Sequence, residues 1–251
     1  MLYDMLSPVY DRINREIDYC KWADFIEKIL ENHGIRNTTE PLLDLACGTG
    51  KMTIELASRG YDMIGVDISP EMLNTAACAA RRRGISDRIL WLCQDMTEFE
   101  LFGTVDAVVC CLDSINHLTA EEQVIKCFSL VHNYLSPGGI FVFDINGKHK
   151  FESVYADNTY VYDLKSCFCT WQNKYSKRKK TCDFYVTLFS KNGDAYNRFD
   201  DIQTERMYRI HELEKMLEAS GFEFLGAYSD YLFTAATDLD DRIYIVAKCL
   251  K

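Results

Sequence analysis

Residues 41–73 constrain the fold of this chain more than any other stretch. They spell a strand, a tight turn, a helix, a second strand and an acid. Leu42-Leu43-Asp44-Leu45-Ala46 is too short and apolar for a free-standing helix and predicts a buried strand. Cys47-Gly48-Thr49-Gly50 follows, and its two glycines permit a sharp turn and a close approach of backbone to a ligand. Helix signals run over residues 51–59 and end at Gly60, the residue type that helix C-termini favour. Met63-Ile64-Gly65-Val66 is the next strand, closed by Asp67. This half of a βαβ unit sets Asp67 across the strand ends from the glycine turn. A carboxylate there can accept from both hydroxyls of a ribose, since each hydroxyl donates one hydrogen bond and the ionised acid has two acceptor oxygens.

The turn is neither a dinucleotide fingerprint nor a P-loop. The G-x-G-x-x-G pattern carries a third glycine where the helix packs on the strand, and counting from Gly48 that position is Thr53. Lys51 follows Gly50, but no G-x-x-x-x-G precedes it. What stands instead is Leu43-Asp44-Leu45-Ala46-Cys47-Gly48-Thr49-Gly50, with Gly65-Val66-Asp67-Ile68-Ser69-Pro70-Glu71-Met72-Leu73 downstream. These two motifs at this spacing resemble those of the Rossmann-like (class I) S-adenosylmethionine-dependent methyltransferases. Their first motif is commonly written with glycine where this chain has Ala46. The resemblance implies an α/β fold: a mostly parallel seven-stranded sheet with an antiparallel last strand, and S-adenosyl-L-methionine as cofactor.

The rest of the chain follows the same rhythm up to residue 146. Ser69-Pro70-Glu71 starts a helix, with serine at the cap and proline at the first position, and that helix ends near Gly84. Residues 89–93 and 105–111 are the third and fourth strands, the latter the near-continuous apolar run of a sheet covered on both faces. A helix over 121–135 and a strand over 140–144 complete the alternation, which demands parallel strands with right-handed crossovers. From Gly147 the rhythm breaks into β-rich runs at 160–162, 167–173, 182–190 and 204–208 with no helix between them, so an antiparallel sheet is expected. A helix over 210–219 and strands over 222–228 and 242–249 end the chain. The expected domains are 1–146, an N-terminal lid helix with the cofactor-binding core; 147–207, an antiparallel β insertion covering the substrate; and 208–251, completing the core.

Composition narrows the partners. A net charge of −10 argues against nucleic acid, because phosphate contacts need a basic surface. Arg81-Arg82-Arg83 falls at a helix C-terminus, and Lys177-Arg178-Lys179-Lys180 reads as a solvated hairpin tip. No apolar run is long enough to cross a bilayer, the N-terminus has no signal-peptide pattern, and eleven scattered cysteines without a C-x-x-C pair suit buried thiols in a reducing cytoplasm rather than a disulfide framework or a metal site.

The resemblance then assigns residues to parts of the cofactor. The backbone around Ala46, Gly48 and Gly50 lies against the amino-acid tail, with Asp44 on the strand beneath. Asp67 takes the ribose hydroxyls. Asp95 accepts from the adenine amine, although turn chemistry also accounts for an acid there, and Met96 supplies backbone and packing. Ile68 and Met72 flank the adenine, positions that core packing explains nearly as well. Leu112 completes the set at the end of strand four. The stretch Asp113-Ser114-Ile115-Asn116-His117-Leu118 resembles the Asn-Ser-x-x-His-Leu loop of glycine and related small-molecule N-methyltransferases, with Asp113 in place of asparagine. His117 is read either as a general base or as a cap of the following helix. Among three N-terminal tyrosines, Tyr10 is the one expected to reach the active site. Of Tyr160, Tyr162, Phe168, Trp171, Phe184 and Tyr185 in the insertion, some are expected to line a pocket. The resulting expectation is an enzyme methylating nitrogen or oxygen of a small-molecule substrate. Its rivals are an RNA base methyltransferase and a non-catalytic S-adenosylmethionine-binding protein.

Overall fold

The computed structural model describes residues 16–35, 40–165 and 167–251. In chain order the core begins with α1 (Tyr19–Asn32), β1 (Leu42–Leu45), α2 (Lys51–Ser58), β2 (Met63–Asp67), α3 (Pro70–Arg83) and β3 (Ile89–Cys93). It continues with β4 (Val105–Cys110), a single 3₁₀ turn (Ser114–His117), α4 (Glu121–Tyr134) and β5 (Leu135–Asn146). A π-helical turn (Lys150–Tyr155) leads into β6 (Thr159–Leu164), β7 (Cys167–Ser176), β8 (Thr181–Asn192) and β9 (Ala195–Arg206). The chain closes with α5 (Ile210–Ala219), β10 (Phe222–Tyr228) and β11 (Arg242–Cys249).

Seven strands form one sheet in the order β10-β11-β5-β4-β1-β2-β3. Only β11 runs against its neighbours, pairing antiparallel with both β5 and β10, as expected from the sequence. The order reverses at β1, where β2 and β3 lie to one side and β4 and β5 to the other. That switch point opens a crevice at the strand ends, where open α/β sheets bind ligands. Neighbouring strand residues serve opposite faces. Leu43, Val108 and Phe141 enter one core cluster, while Leu42, Val109 and Val142 enter another, so both faces are buried and the strands are apolar throughout. Trp22, Phe25, Ile26, Ile29 and Leu30 are buried at helical spacing, and they seat α1 on the second face beside α2.

The helix signals work as read. Ser69 Oγ accepts from the Met72 N–H at 3.1 Å, Pro70 opens α3, and Gly84 closes it in the left-handed conformation. The triple arginine lies in that helix's last turn.

Strands β6 to β9 form a separate four-stranded antiparallel sheet with its own core around Phe151, Cys167, Cys182, Phe184, Val186 and Met207. The basic run 177–180 is its hairpin tip between paired Ser176 and Thr181. The strand expected at 204–208 instead spans Ala195–Arg206. Its first half carries Asn197, Arg198, Asp200 and Asp201 because it is an edge strand with a wet face, and hydrophobic alternation is absent there. No described helix is long and apolar enough to cross a membrane.

Candidate active site

The glycine turn is stapled to the end of β2. The Gly48 N–H donates to Asp67 Oδ2 at 2.8 Å, the Ser69 N–H to Oδ1 at 2.9 Å, and the Cys47 N–H to the Val66 carbonyl at 2.9 Å. Asp67 is 8% exposed, and each carboxylate oxygen accepts from a backbone N–H of the turn or of the start of the next helix. On β1, Asp44 is buried, and Thr53 Oγ1 donates to its Oδ2 at 2.5 Å. This explains the threonine at the third-glycine position: the helix here carries a hydroxyl for a buried acid. Burial pushes Asp44 up to about 7, with Thr53 opposing the shift. Burial also pushes the Cys47 thiol up, so it stays protonated. Ala46 takes φ +58°, the left-handed region that accounts for glycine in the related motif.

Trp91 of β3 supports the turn from below. A Cβ placed on Gly65 would stand 2.4 Å from Trp91 Cζ3, and one placed on Gly50 would stand 2.6 Å from Trp91 Cη2. The two glycines make room for the indole. Gly65→Ala should therefore destabilise the protein by about 1–3 kcal/mol, the usual cost of overpacking. Adding Trp91→Leu should recover part of that loss. Urea unfolding of the single and double variants measures the coupling, and independent, additive losses would show that the indole is not what Gly65 accommodates.

Two cavities flank the turn. The smaller, about 40 Å³, is walled by Asp44, Ala46, Gly48 and Leu112 together with Tyr19 of α1. The larger, about 200 Å³, is walled by Ala46, Gly48, Asp67, Ile68, Met72, Met96, Leu112 and His117, and also by Ser114 and Gln203. Nine of the residues picked from the sequence thus come together. Gly50 does not line either cavity; it holds φ +71° at the start of α2. Asp95 also stands back from both, and its Oδ1 accepts from the Thr97 N–H and hydroxyl at 2.7 and 2.8 Å. Tyr10 lies outside the described residues. Of the insertion, Gln203 is the residue that reaches the larger cavity, while Phe184 is committed to the insertion's own core.

The mouth above β4 is held in a costly conformation. Leu112 and Asp113 both have positive φ, +62° and +52°, each worth about 1–3 kcal/mol of strain for a residue with a side chain. The Asp113 N–H donates to Asp144 Oδ2 at 3.1 Å. Arg242 pairs with that same Asp144 oxygen and, at 3.2 Å, with Asp113 Oδ1. Burial raises Asp144 above the ordinary carboxylate range against the pull of Arg242, whereas Asp113, raised by its burial, is lowered on balance by Arg242, Lys150, His117 and the Asn146 hydrogen bond together. Asn116 ties this mouth to the insertion, accepting from the Asn146 N–H at 2.9 Å and donating to the Arg206 carbonyl at 2.8 Å. His117 closes the 3₁₀ turn and is not the helix cap, because α4 is capped at Ala120, whose N–H donates to Gln123 Oε1 at 3.1 Å. Burial lowers the His117 pKa despite Asp113 nearby, which leaves a neutral imidazole at the cavity wall.

Sequence reasoning missed Thr53, Trp91, Gln203, Asp144 and Arg242, and named Ser114 only within the loop after strand four. Thr53 could have been found as the lone hydroxyl on the buried face of α2. Gln203 was hidden by the misplaced start of β9.

Known proteins share both the pattern and the architecture. A family model described as a methyltransferase domain matches residues 42–139. A putative methyltransferase from Bacillus subtilis, YqeM, is 34% identical over 99% of this chain and 97% of its own length. A glycine/sarcosine N-methyltransferase from Parasynechococcus marenigrum is 35% identical over 53% of this chain and 48% of its own. The crystal structure of an S-adenosylmethionine-dependent methyltransferase from Clostridium acetobutylicum superposes with a TM-score of 0.87, at 31% identity and full coverage of both chains. With its switch-point crevice, its stapled glycine turn and full-length relatives of this kind, the chain belongs to the S-adenosylmethionine-dependent methyltransferases.

Proposed function

We propose that the protein methylates a small molecule at nitrogen or oxygen in the cytoplasm, with the acceptor entering between the His117 turn and the insertion of residues 147–207. The observation that carries this reading is the larger cavity, where the cofactor turn, the His117 mouth and Gln203 of the insertion share one wall. The residues fit S-adenosylmethionine. A Cβ on Gly48 would meet no atom within 4 Å, so the space over the turn is open, and the acid Asp67 borders it. Asp67 would hold the ribose, Asp44 and the turn the amino-acid tail, and Ile68, Met72 and Met96 the adenine, with Asp95 assigned to its amine from behind that wall. The cofactor supplies an electrophilic methyl on a sulfonium. The chain's own task is to position the acceptor and exclude water, which can provide on the order of 7–11 kcal/mol without any acid or base. His117 in its neutral form suits a wall residue that shapes the acceptor's approach.

The acidic balance weighs against an RNA substrate, as does the position of the basic run at a hairpin tip. Eleven cysteines, none of them in a disulfide, accord with a reducing compartment. A panel of small amines, alcohols and carboxylates, with transfer RNA alongside, tests the reading by release of adenosylhomocysteine. Turnover is expected with a small acceptor. Turnover confined to RNA, or none at all from a protein that binds adenosylhomocysteine, would favour the rival readings.

A further inference from the structure

Behind the His117 wall lies a buried group of charges that cofactor binding does not use. Glu205 of β9 is 5% exposed. Its carboxylate, that of Asp113 and a ring nitrogen of His117 lie within 4.8 Å of one another. Asn146 Nδ2 donates to Glu205 Oε2 at 3.3 Å and to the Tyr155 hydroxyl at 2.9 Å, while Lys150 Nζ donates to Asn146 Oδ1 at 2.8 Å. Every element packed here contributes: Asp113 and His117 from the mouth, Asp144 from β5, Lys150 and Tyr155 from the π-helical turn, Cys182 from β8, Glu205 from β9 and Arg242 from β11. Gln203, two residues before Glu205 on the same strand face, lines the larger cavity beside His117.

The charges do not balance. Three carboxylates, Asp113, Asp144 and Glu205, face two cations, Arg242 and Lys150, and His117 is neutral. A buried group of this kind needs one more positive charge. A divalent ion would overshoot by one and meet Lys150 and Arg242 at close range. In the empty protein a proton supplies the charge. Burial, reinforced by Asp113, pushes Glu205 well up while burial lowers His117, so the Glu205 carboxyl rather than the imidazole is the group disposed to hold it.

We propose that this group is the acceptor's charge site, that the acceptor is an amine, and that Glu205 takes the amine's proton before methyl transfer. The inference rests on the small-molecule reading above and narrows it from nitrogen or oxygen to nitrogen. The ammonium form enters and the proton already on Glu205 leaves to solvent, so the charge total is unchanged. One N–H bond of the ammonium then breaks, its proton passing to a Glu205 oxygen and its electron pair remaining on nitrogen. That pair forms the N–C bond as the C–S bond breaks, with the old bonding pair left on a neutral thioether. The methylated product departs as an ammonium ion, and its nitrogen again carries the positive charge. Glu205, holding the abstracted proton, is back in its resting form. One proton reaches solvent per turnover.

Calorimetric titration of ethylamine, ethanol and acetate into the full chain, with and without saturating adenosylhomocysteine, tests this in two non-amine buffers of different ionisation enthalpy. Ethylamine should bind in the millimolar range and release about one proton, while ethanol and acetate should not bind. Glu205→Gln keeps the shape of the protonated acid. It should weaken ethylamine about tenfold or more, as expected for a lost charge-assisted hydrogen bond, and abolish proton release. Should that variant not fold, the wild-type proton release and probe selectivity decide alone. Ethanol or acetate binding as well as ethylamine, no ethylamine binding, or binding indifferent to Glu205→Gln would overturn the proposal. Saturable Mn²⁺ binding lost in Glu205→Gln would also overturn it, in favour of a metal site. Failure of wild type to bind adenosylhomocysteine refutes the cofactor reading instead, and the titrations without it still decide the amine.

Discussion

Asp67→Ala is expected to weaken adenosylhomocysteine binding by about 10²-fold or more. Two ribose hydroxyls would each lose a charge-assisted hydrogen bond worth about 1.5–3 kcal/mol. The structure adds a second loss. The sequence alone suggests a strand-end acid that the fold could spare, but Asp67 is buried and accepts from the Gly48 and Ser69 N–H groups. Its removal loosens the glycine turn proposed to bind the tail as well as the proposed ribose site. The melting temperature should fall too, since each buried N–H left without a partner costs about 1–3 kcal/mol. Asp67→Asn keeps one carbonyl oxygen and should fall between the two in both measurements.

Arg242→Met should destabilise the fold by about 3–5 kcal/mol, the cost of breaking a buried ion pair by removing one side. Asp144 and Asp113 would both lose their partner, and the strained Leu112–Asp113 turn would lose half its clamp. The deficit should depend on pH. Asp144 is raised to about 6 even with Arg242 present, so its contribution is fully favourable below the ordinary carboxylate pKa of 3.8 and is lost as pH rises through 6. Without Arg242 the rise is larger, and ionising Asp144 at neutral pH is more costly. Asp113 acts in the same sense, because Arg242 lowers its pKa and thereby stabilises the fold above pH 3.8. Urea unfolding should thus show a smaller gap between variant and wild type at pH 5 than at pH 8. A gap independent of pH would mean that the pair is not what Arg242 contributes.

The proposed cofactor half of the site, whose residues the structure brings around two cavities, was legible because those residues are local in sequence. The glycine turn, Asp67 and the cap at Ser69 are fixed by backbone demands that only a few residue types meet, and they sit within one βαβ unit. Ile68, Met72, Met96 and Leu112 follow once that unit is aligned with the strand ends. The proposed acceptor half was not legible, since it is assembled from distant segments. Glu205 meets Asp113 and His117 only because β9 returns over the mouth, and Arg242 meets Asp144 only because β11 inserts beside β5. In sequence each is one charged residue in a strand, indistinguishable from a solvated one. The edge character of β9 made this worse by removing the alternation that would have marked Gln203 and Glu205 as inward positions.

Calorimetric titration of adenosylhomocysteine into wild type and Asp67→Ala, with NAD as the comparison ligand, tests the cofactor site most directly. The geometry predicts micromolar binding to wild type, a loss of about two orders of magnitude in the variant and no heat with NAD. Equal affinity in a folded Asp67→Ala variant, or binding of NAD in place of adenosylhomocysteine, would contradict it.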